Sequence, residues 1–292
     1  MNTLALIVTA MVPYILVAQG TMISGRAGIF NVAQEGLMLL GASVGFLVSL
    51  KLGSNTLGLL AAAVAGALFG FVLAWCTTYW RLDQFVVGLA LFFTAVGVAN
   101  LLYRVVVGVT TSPPLIPLLP KVFGNQDVLV YLAVLGSIGL WWWLYRTDSG
   151  MRLRSVGENP KAADSLGVNV TATRLWAGTA GAALMAVGGA ILPMIYTGTY
   201  NESIVGGRGW LAIALAFFGG WRPQFILLGA AFFAAMDVLA LKAQVEGVGL
   251  PHQFVSMLPY VATLLVMIFA FRWARVPQFL GKNYDRESRL VG

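Results

Sequence analysis

Nine stretches of this chain are apolar for long enough to approach a bilayer crossing, and that repetition limits the possible folds more than any other feature. They are residues 3–22, 33–50, 56–79, 85–107, 128–146, 174–196, 205–220, 224–241 and 254–274. A hydrocarbon core about 30 Å thick needs roughly 20 residues of helix, fewer where the helix is broken. Polar or Gly-rich breaks between neighbouring stretches leave the count between eight and ten, and the shortest, 205–220, has the length of a half-helix. Backbone polar groups inside hydrocarbon must be bonded within their own segment, so the pattern predicts an all-α transmembrane fold. No linker is long enough for a separate soluble unit, and one domain over 1–292 is expected.

Composition agrees. Apolar residues make up 59% of the chain and charged residues 10%, where a soluble domain carries roughly 25% charged residues. The 34 glycines suit helices that approach closely in a membrane. A single cysteine, Cys76, excludes a disulfide framework and a Cys-rich metal site, and a single histidine, His252, argues against a zinc site or a catalytic triad. No catalytic or metal-binding residue is expected. The net charge of +7 resides in Lys and Arg between the spans, so a nucleic-acid partner is not implied. Thirteen of those residues fall in one set of alternate loops and tails and five in the other. By the positive-inside rule the richer set is cytoplasmic, giving an external N-terminus, a cytoplasmic tail over 275–292 and an odd number of spans. The first stretch lacks a basic leader and a small-residue cleavage site, so it reads as a retained helix.

The longest polar segment, about 147–173, falls on the cytoplasmic side. Asn159 can cap a helix, Pro160 fits its first position, Lys161 to Leu166 are helix formers and Gly167 supplies a stop. A short helix along the membrane face follows, with Gly150, Gly157 and Gly167 as flexible flanks. The external segment 108–127, with Thr110, Thr111, Ser112, Pro113, Pro114, Pro117 and Pro120, reads as a stiff extended loop.

Three motifs in this order resemble the permease subunits of binding-protein-dependent ABC importers, in the superfamily that handles branched-chain amino acids, simple sugars and nucleosides. Val156-Gly157-Glu158-Asn159-Pro160-Lys161-Ala162-Ala163, with Leu166-Gly167-Val168, is similar to the coupling loop of those permeases. Gly28 to Met38 resembles their broken second helix. Gly207-Arg208-Gly209-Trp210 and Gly219-Gly220-Trp221-Arg222-Pro223 match near the C-terminal half, and Pro259-Tyr260 fits the nucleoside and simple-sugar branch. The resemblance runs from about residue 24 to residue 272. It implies an inner-membrane permease that translocates a nucleoside, or a simple sugar, delivered by an extracytoplasmic binding protein. It further implies a second homologous permease as heterodimer partner, and a cytoplasmic ATPase that binds ATP and Mg, so that no cofactor belongs to this chain. Gly157, Glu158, Asn159, Pro160, Ala162, Ala163 and Gly167 are the expected ATPase-coupling residues.

A possible translocation pathway comprises Asn31, Gln34, Glu35, Phe92 and Asn100. An ionisable residue near a span is costly and marks function by default, yet Glu35 could equally cap a helix or pair with Arg26 or Arg81 at the interface. Asn31 and Gln34 could instead bond neighbouring helices. Asn100 and Arg104 are four apart and share a helix face. Phe85, Phe92 and Phe93 could offer ring faces to a base or a sugar, or simply pack. Asp237 is placed to pair with Lys242. Trp141 to Trp143, Trp221 and Trp273 read as aromatic-belt anchors. Glu35 and Asp237 alone would be a thin basis for an ion-coupled secondary transporter, and the lone His and Cys for an intramembrane enzyme.

Overall fold

The computed structural model describes residues 3–108, 113–123, 126–245, 257, 260–262, 264, 265, 268 and 276–285. Most of the ninth apolar stretch, 254–274, lies outside the described residues, as do His252, Pro259 and Trp273. Among the described residues, seven helices are long and apolar enough to cross a membrane: α1 (Thr3–Arg26), α2 (Gln34–Leu52), α3 (Asn55–Thr78), α4 (Gln84–Val107), α5 (Val128–Arg146), α8 (Val170–Leu192, continued by a π turn, Pro193–Thr197) and α10 (Pro223–Val245). Three shorter helices stand among them: α6 (Asp148–Glu158), α7 (Pro160–Ser165) and α9 (Arg208–Phe218). This is a multi-pass helical membrane protein. The stretch 205–220 is indeed a short helix of 11 residues rather than a full span.

Local signals in the sequence set the helix starts. Asp83 Oδ1 accepts the Val86 N–H at 2.9 Å, and Asn169 Oδ1 accepts that of Ala172 at 2.9 Å, satisfying donors that the first turn leaves open. The Pro-rich segment has no helix or strand from 113 to 120, and it ends in a two-stranded antiparallel ribbon, β1 (Lys121–Phe123) and β2 (Gln126–Asp127), that the proline content hid.

α8 is the axis of the bundle, packed on α1, α2 and α3. Glycine makes this approach possible. A methyl group at Gly41 of α2 would strike the carbonyl of Ala186, and one at Gly189 of α8 would strike that of Met38. Van der Waals contact replaces the hydrophobic effect as the cohesive force between helices in lipid, so backbone proximity is the main source of attraction there. The Gly66–Gly70 pair of α3 lies in the same way against Ala182 and Gly178 of α8. By contrast α4 and α5 keep mostly apolar, exposed faces.

α6 and α7 mark one end of the bundle, the foot end. Arg26, Arg81, Arg146, Arg222 and the start of α8 gather there, while Leu52, Val107 and Thr197 lie at the opposite, far end. Trp221 is not a belt anchor: it is fully buried, against Gly25, where any side chain would collide with its ring. Its φ of +58° is a strained backbone for a bulky residue, and Arg26 holds it by donating twice to its carbonyl, at 3.0 and 2.8 Å.

Candidate functional site

Two regions carry the polar chemistry: a foot at one end of the bundle, and a junction of broken helices inside it. The foot begins when Thr147 Oγ1 caps α6 through the Gly150 N–H at 3.2 Å. Asn159 Oδ1 then accepts the Ala162 N–H at 3.1 Å, Pro160 opens α7 and Gly167 closes it at a φ of +83°. The expected helix is therefore present with its expected caps. Two of its three glycine flanks are packed rather than loose, while Gly167 stands in open space. Gly150 and Gly157 are helical, and close-packed against the carbonyls of Trp143 and Arg26, so they serve contact and not mobility.

The predicted coupling residues divide between two faces. Pro160, Gly157 and Ala163 are buried, Ala163 in a small apolar cluster with Val156, Val170 and Tyr284. Glu158, Asn159, Ala162 and Gly167 face outward, with Glu158 3.7 Å from Arg26. Beside them stands Leu166, 85% exposed, a residue the motif reading left out.

Residues 276–285 strap this foot to the bundle. The Phe279 N–H donates to the Gly157 carbonyl at 2.9 Å and that of Gly281 to Gly28 at 3.2 Å, while Asp285 pairs with Arg81 at 2.9 Å. Arg174, buried in the first turns of α8, donates to the carbonyls of Ala27, Gly28 and Lys282 at 3.2, 3.2 and 2.6 Å. Sequence reasoning counted Arg174 only as a positive charge.

Inside the bundle, the chain between α1 and α2 is unwound from 27 to 33. The break expected within the second helix therefore takes the form of a non-helical entry before it. Asn31 makes that entry, its Oδ1 accepting the Ala33 N–H at 2.9 Å and its amide facing Met185 Sδ at 3.6 Å. Gln34 is fully buried; it accepts from Thr21 Oγ1 at 2.6 Å and donates to the Gly209 carbonyl. Glu35 accepts the N–H groups of Gly207 at 2.8 Å and Gly209 at 2.7 Å. It thus caps the N-terminus of α9, where open N–H groups and the helix dipole favour an anion. The interfacial partners considered for Glu35 are otherwise engaged: Arg26 with Glu158, Arg81 with Asp285.

The half-helix α9 rises only about 16 Å at 1.5 Å per residue, so its capped start lies at mid-depth of the bundle. Gly206 and Gly207, at φ +57° and +80°, turn the chain into it. Arg208, counted from sequence among the external charges, sits at this depth with Nε 3.4 Å from Asp237 Oδ2. The expected Asp237–Lys242 pair does not form: Tyr14 donates to Asp237 at 2.7 Å, and Lys242 donates to Thr3. Phe92 reaches the junction through Trp210, its ring centroid 5.9 Å away. Asn100 is elsewhere, nearer the far end, where it accepts from Tyr200 at 2.9 Å while Arg104 pairs with Glu202 at 3.2 Å. Burial first, then Glu202, pushes the Tyr200 hydroxyl well above its ordinary range, so it stays a donor. The structure therefore joins Gln34, Glu35 and Phe92 at one junction, places Asn31 in the unwound chain that leads into it, and leaves Asn100 apart, nearer the far end. It adds Arg208 and Asp237, which the rule that intramembrane charge marks function could have picked out, and Tyr14, which carries no charge to mark it.

A spanning bundle with irregular backbone and paired charges at mid-depth is the architecture of a membrane transport protein, since such backbone is tolerated only inside protein or along a cavity. The family described as branched-chain amino acid transport system / permease component matches residues 2–271, and the chain belongs to it. It is a permease subunit of an ABC importer, a transport component and not an enzyme, and the family implies a partner ATPase and a substrate-binding protein. It is 36% identical over 314 residues to a nucleoside ABC transporter permease, NupC, of Lactococcus lactis subsp. cremoris, covering 98% of this chain and 99% of that one. Identity is 31% to the guanosine permease NupQ of Bacillus subtilis, over 95% of this chain and 94% of that one. It is 30% to a putative glucose permease, TsgC13, of Haloferax volcanii, over 94% of each. No solved structure matches the chain.

Proposed function

We propose that this permease carries a nucleoside into the cell, as one half of a heterodimeric pore driven by the partner ATPase. The observation that carries the substrate is the match to the nucleoside permease, which extends over both chains almost end to end. The foot is assigned to the cytoplasm, with the N-terminus outside and the C-terminal tail inside, because Arg26, Arg81, Arg146, Arg152, Arg154, Lys161 and Arg174 cluster at that end. The ATPase binds ATP and Mg; this chain supplies the passage.

The outer face of α7 is assigned to the ATPase, with Glu158, Asn159, Ala162 and Gly167 touching it and Leu166 as the apolar anchor. Pro160, Ala163 and Gly157 act from beneath, by seating the helix as a rigid lever. A capped helix clamped to α1 and to the tail transmits rigid-body displacement. Gln34 and Glu35 stand at the hinge between α2 and α9, beside Phe92, while Asn31 shapes the unwound entry and Asn100 braces the far end. An ion-coupled mechanism would need a free carboxylate in the span, and Glu35 and Asp237 are both engaged in hydrogen bonds. A simple sugar is the second reading, favoured by the likeness to the putative glucose permease.

The complete complex in proteoliposomes, with binding protein outside and ATP inside, should accumulate labelled guanosine, adenosine or a pyrimidine nucleoside. Accumulation of glucose with no nucleoside uptake would reverse the order of the two readings.

A further inference from the structure

Toward the far end from the Gly206–Gly207 turn, the helices part around a cavity of about 580 Å³. Arg208 and Asp237 lie at its base, and Tyr196 and Tyr260 line it, with Leu241 and Gln244 of α10. Tyr196 belongs to the π turn that ends α8, and Gln244 is one residue from the end of α10. The cavity therefore reaches from the far end down to mid-depth.

The pair at its base is held but not closed off. Tyr14 and Arg208 both meet the same carboxylate oxygen of Asp237, Oδ2. Arg208 NH1 donates to the carbonyls of Ile204 and Val205, each at 3.2 Å, which fixes the guanidinium to the turn. About a third of the Arg208 side chain and a fifth of that of Asp237 remain accessible, 32% and 20%. Charged side chains at this depth face the bundle interior or a water-filled space and not lipid, and these two line the cavity.

A paired arginine and carboxylate are neutral together, so they offer no excess charge to an ion. What they present is a set of donors beside an acceptor, with two phenol rings above. That complements a neutral, ring-containing solute with hydroxyl groups. We propose that this cavity is the transit site of the permease, where a nucleoside lays its base on Tyr196 or Tyr260. Its sugar hydroxyls donate to Asp237 Oδ1 and accept from Arg208. The identity of the solute rests on the nucleoside reading given above; the location of the site does not.

The test uses the complete complex in proteoliposomes and measures initial uptake of guanosine, cytidine and glucose. Asp237→Asn is expected to lower uptake of whichever solute the wild type carries at least tenfold, and to shift the purine-to-pyrimidine ratio where nucleosides are carried. Leu241→Trp, which fills the cavity from an exposed position, should do the same, and it decides the matter if the first variant fails to reach the membrane. The double change Arg208→Met with Asp237→Leu separates binding from mere structural pairing: a transit site predicts no recovery. Unchanged rate and ratio in the single variants, or recovery in the double, would overturn the site. Should the wild type carry glucose alone, the nucleoside assignment fails, while the same variants still decide whether solute passes here.

Discussion

Glu35 shows how much one side chain contributes at a helix start inside the bundle. Its two oxygens close the N–H groups of Gly207 and Gly209 at mid-depth. Glu35→Ala leaves both donors open in a medium of low polarity, at about 3 kcal/mol, and is expected to cut uptake at least tenfold. Glu35→Gln keeps one acceptor and should retain a measurable fraction of transport; equal rates for both variants would show that the cap does not matter. The carboxylate was conspicuous in the sequence, and so was the choice between capping and pathway. The partner was not legible. Gly207 is 172 residues away, and no local pattern encodes a contact across that distance. The same holds for Asp237, whose neighbour in sequence, Lys242, was a plausible mate until tertiary structure brought Arg208 and Tyr14 nearer.

At the scale of the element, α7 was the most legible part of the chain. An Asn cap, a first-position proline and a terminal glycine are local devices, and the structure uses each of them. The preceding α6 was missed because its glycines, Gly150 and Gly157, read as flexibility when they are in fact where backbone meets backbone. The sides of α7 were equally hidden, since six residues are too few to show a helical stripe. Leu166→Asp should leave the chain inserted and folded while uptake and binding-protein-stimulated ATP hydrolysis fall together, with the purine-to-pyrimidine ratio unaltered. Ala163→Arg is expected to abolish uptake for a different reason, by forcing a long charged side chain under the helix and lifting it from Val156 and Val170. Limited proteolysis separates the two: Ala163→Arg opens the foot to cleavage, and Leu166→Asp does not. Asn159→Ala, which removes only the cap, costs about 1 kcal/mol and should reduce coupling without ending it.

For the molecule as a whole, apolar run length was enough to find the bundle, and seven of the nine stretches became full-length helices while an eighth became α9. Run length did not show that α8 would be the axis, because that depends on which glycines face which carbonyls. Charge asymmetry identified the end that bears the foot, but misassigned Arg208, since a count of loop charges presumes that every loop returns to the surface. Orientation can be read by labelling. In a chain with Cys76→Ser, a cysteine at Ser165 should react with an impermeant maleimide only after the membrane is opened, and one at Asn201 in intact cells. The reverse pattern would invert the assignment of the foot.

The strap formed by residues 276–285 has a consequence for biogenesis. Its bonds to Gly28, Gly157 and Arg81 join segments translated early, midway and before α4 to one that leaves the ribosome after all the helices above. The foot is therefore tied down only when synthesis has passed α1 to α10. On the proposal that the foot seats the ATPase, an unfinished polypeptide would insert into the bilayer yet offer its motor a loose handle, and the motor would find a firm one only on a finished chain.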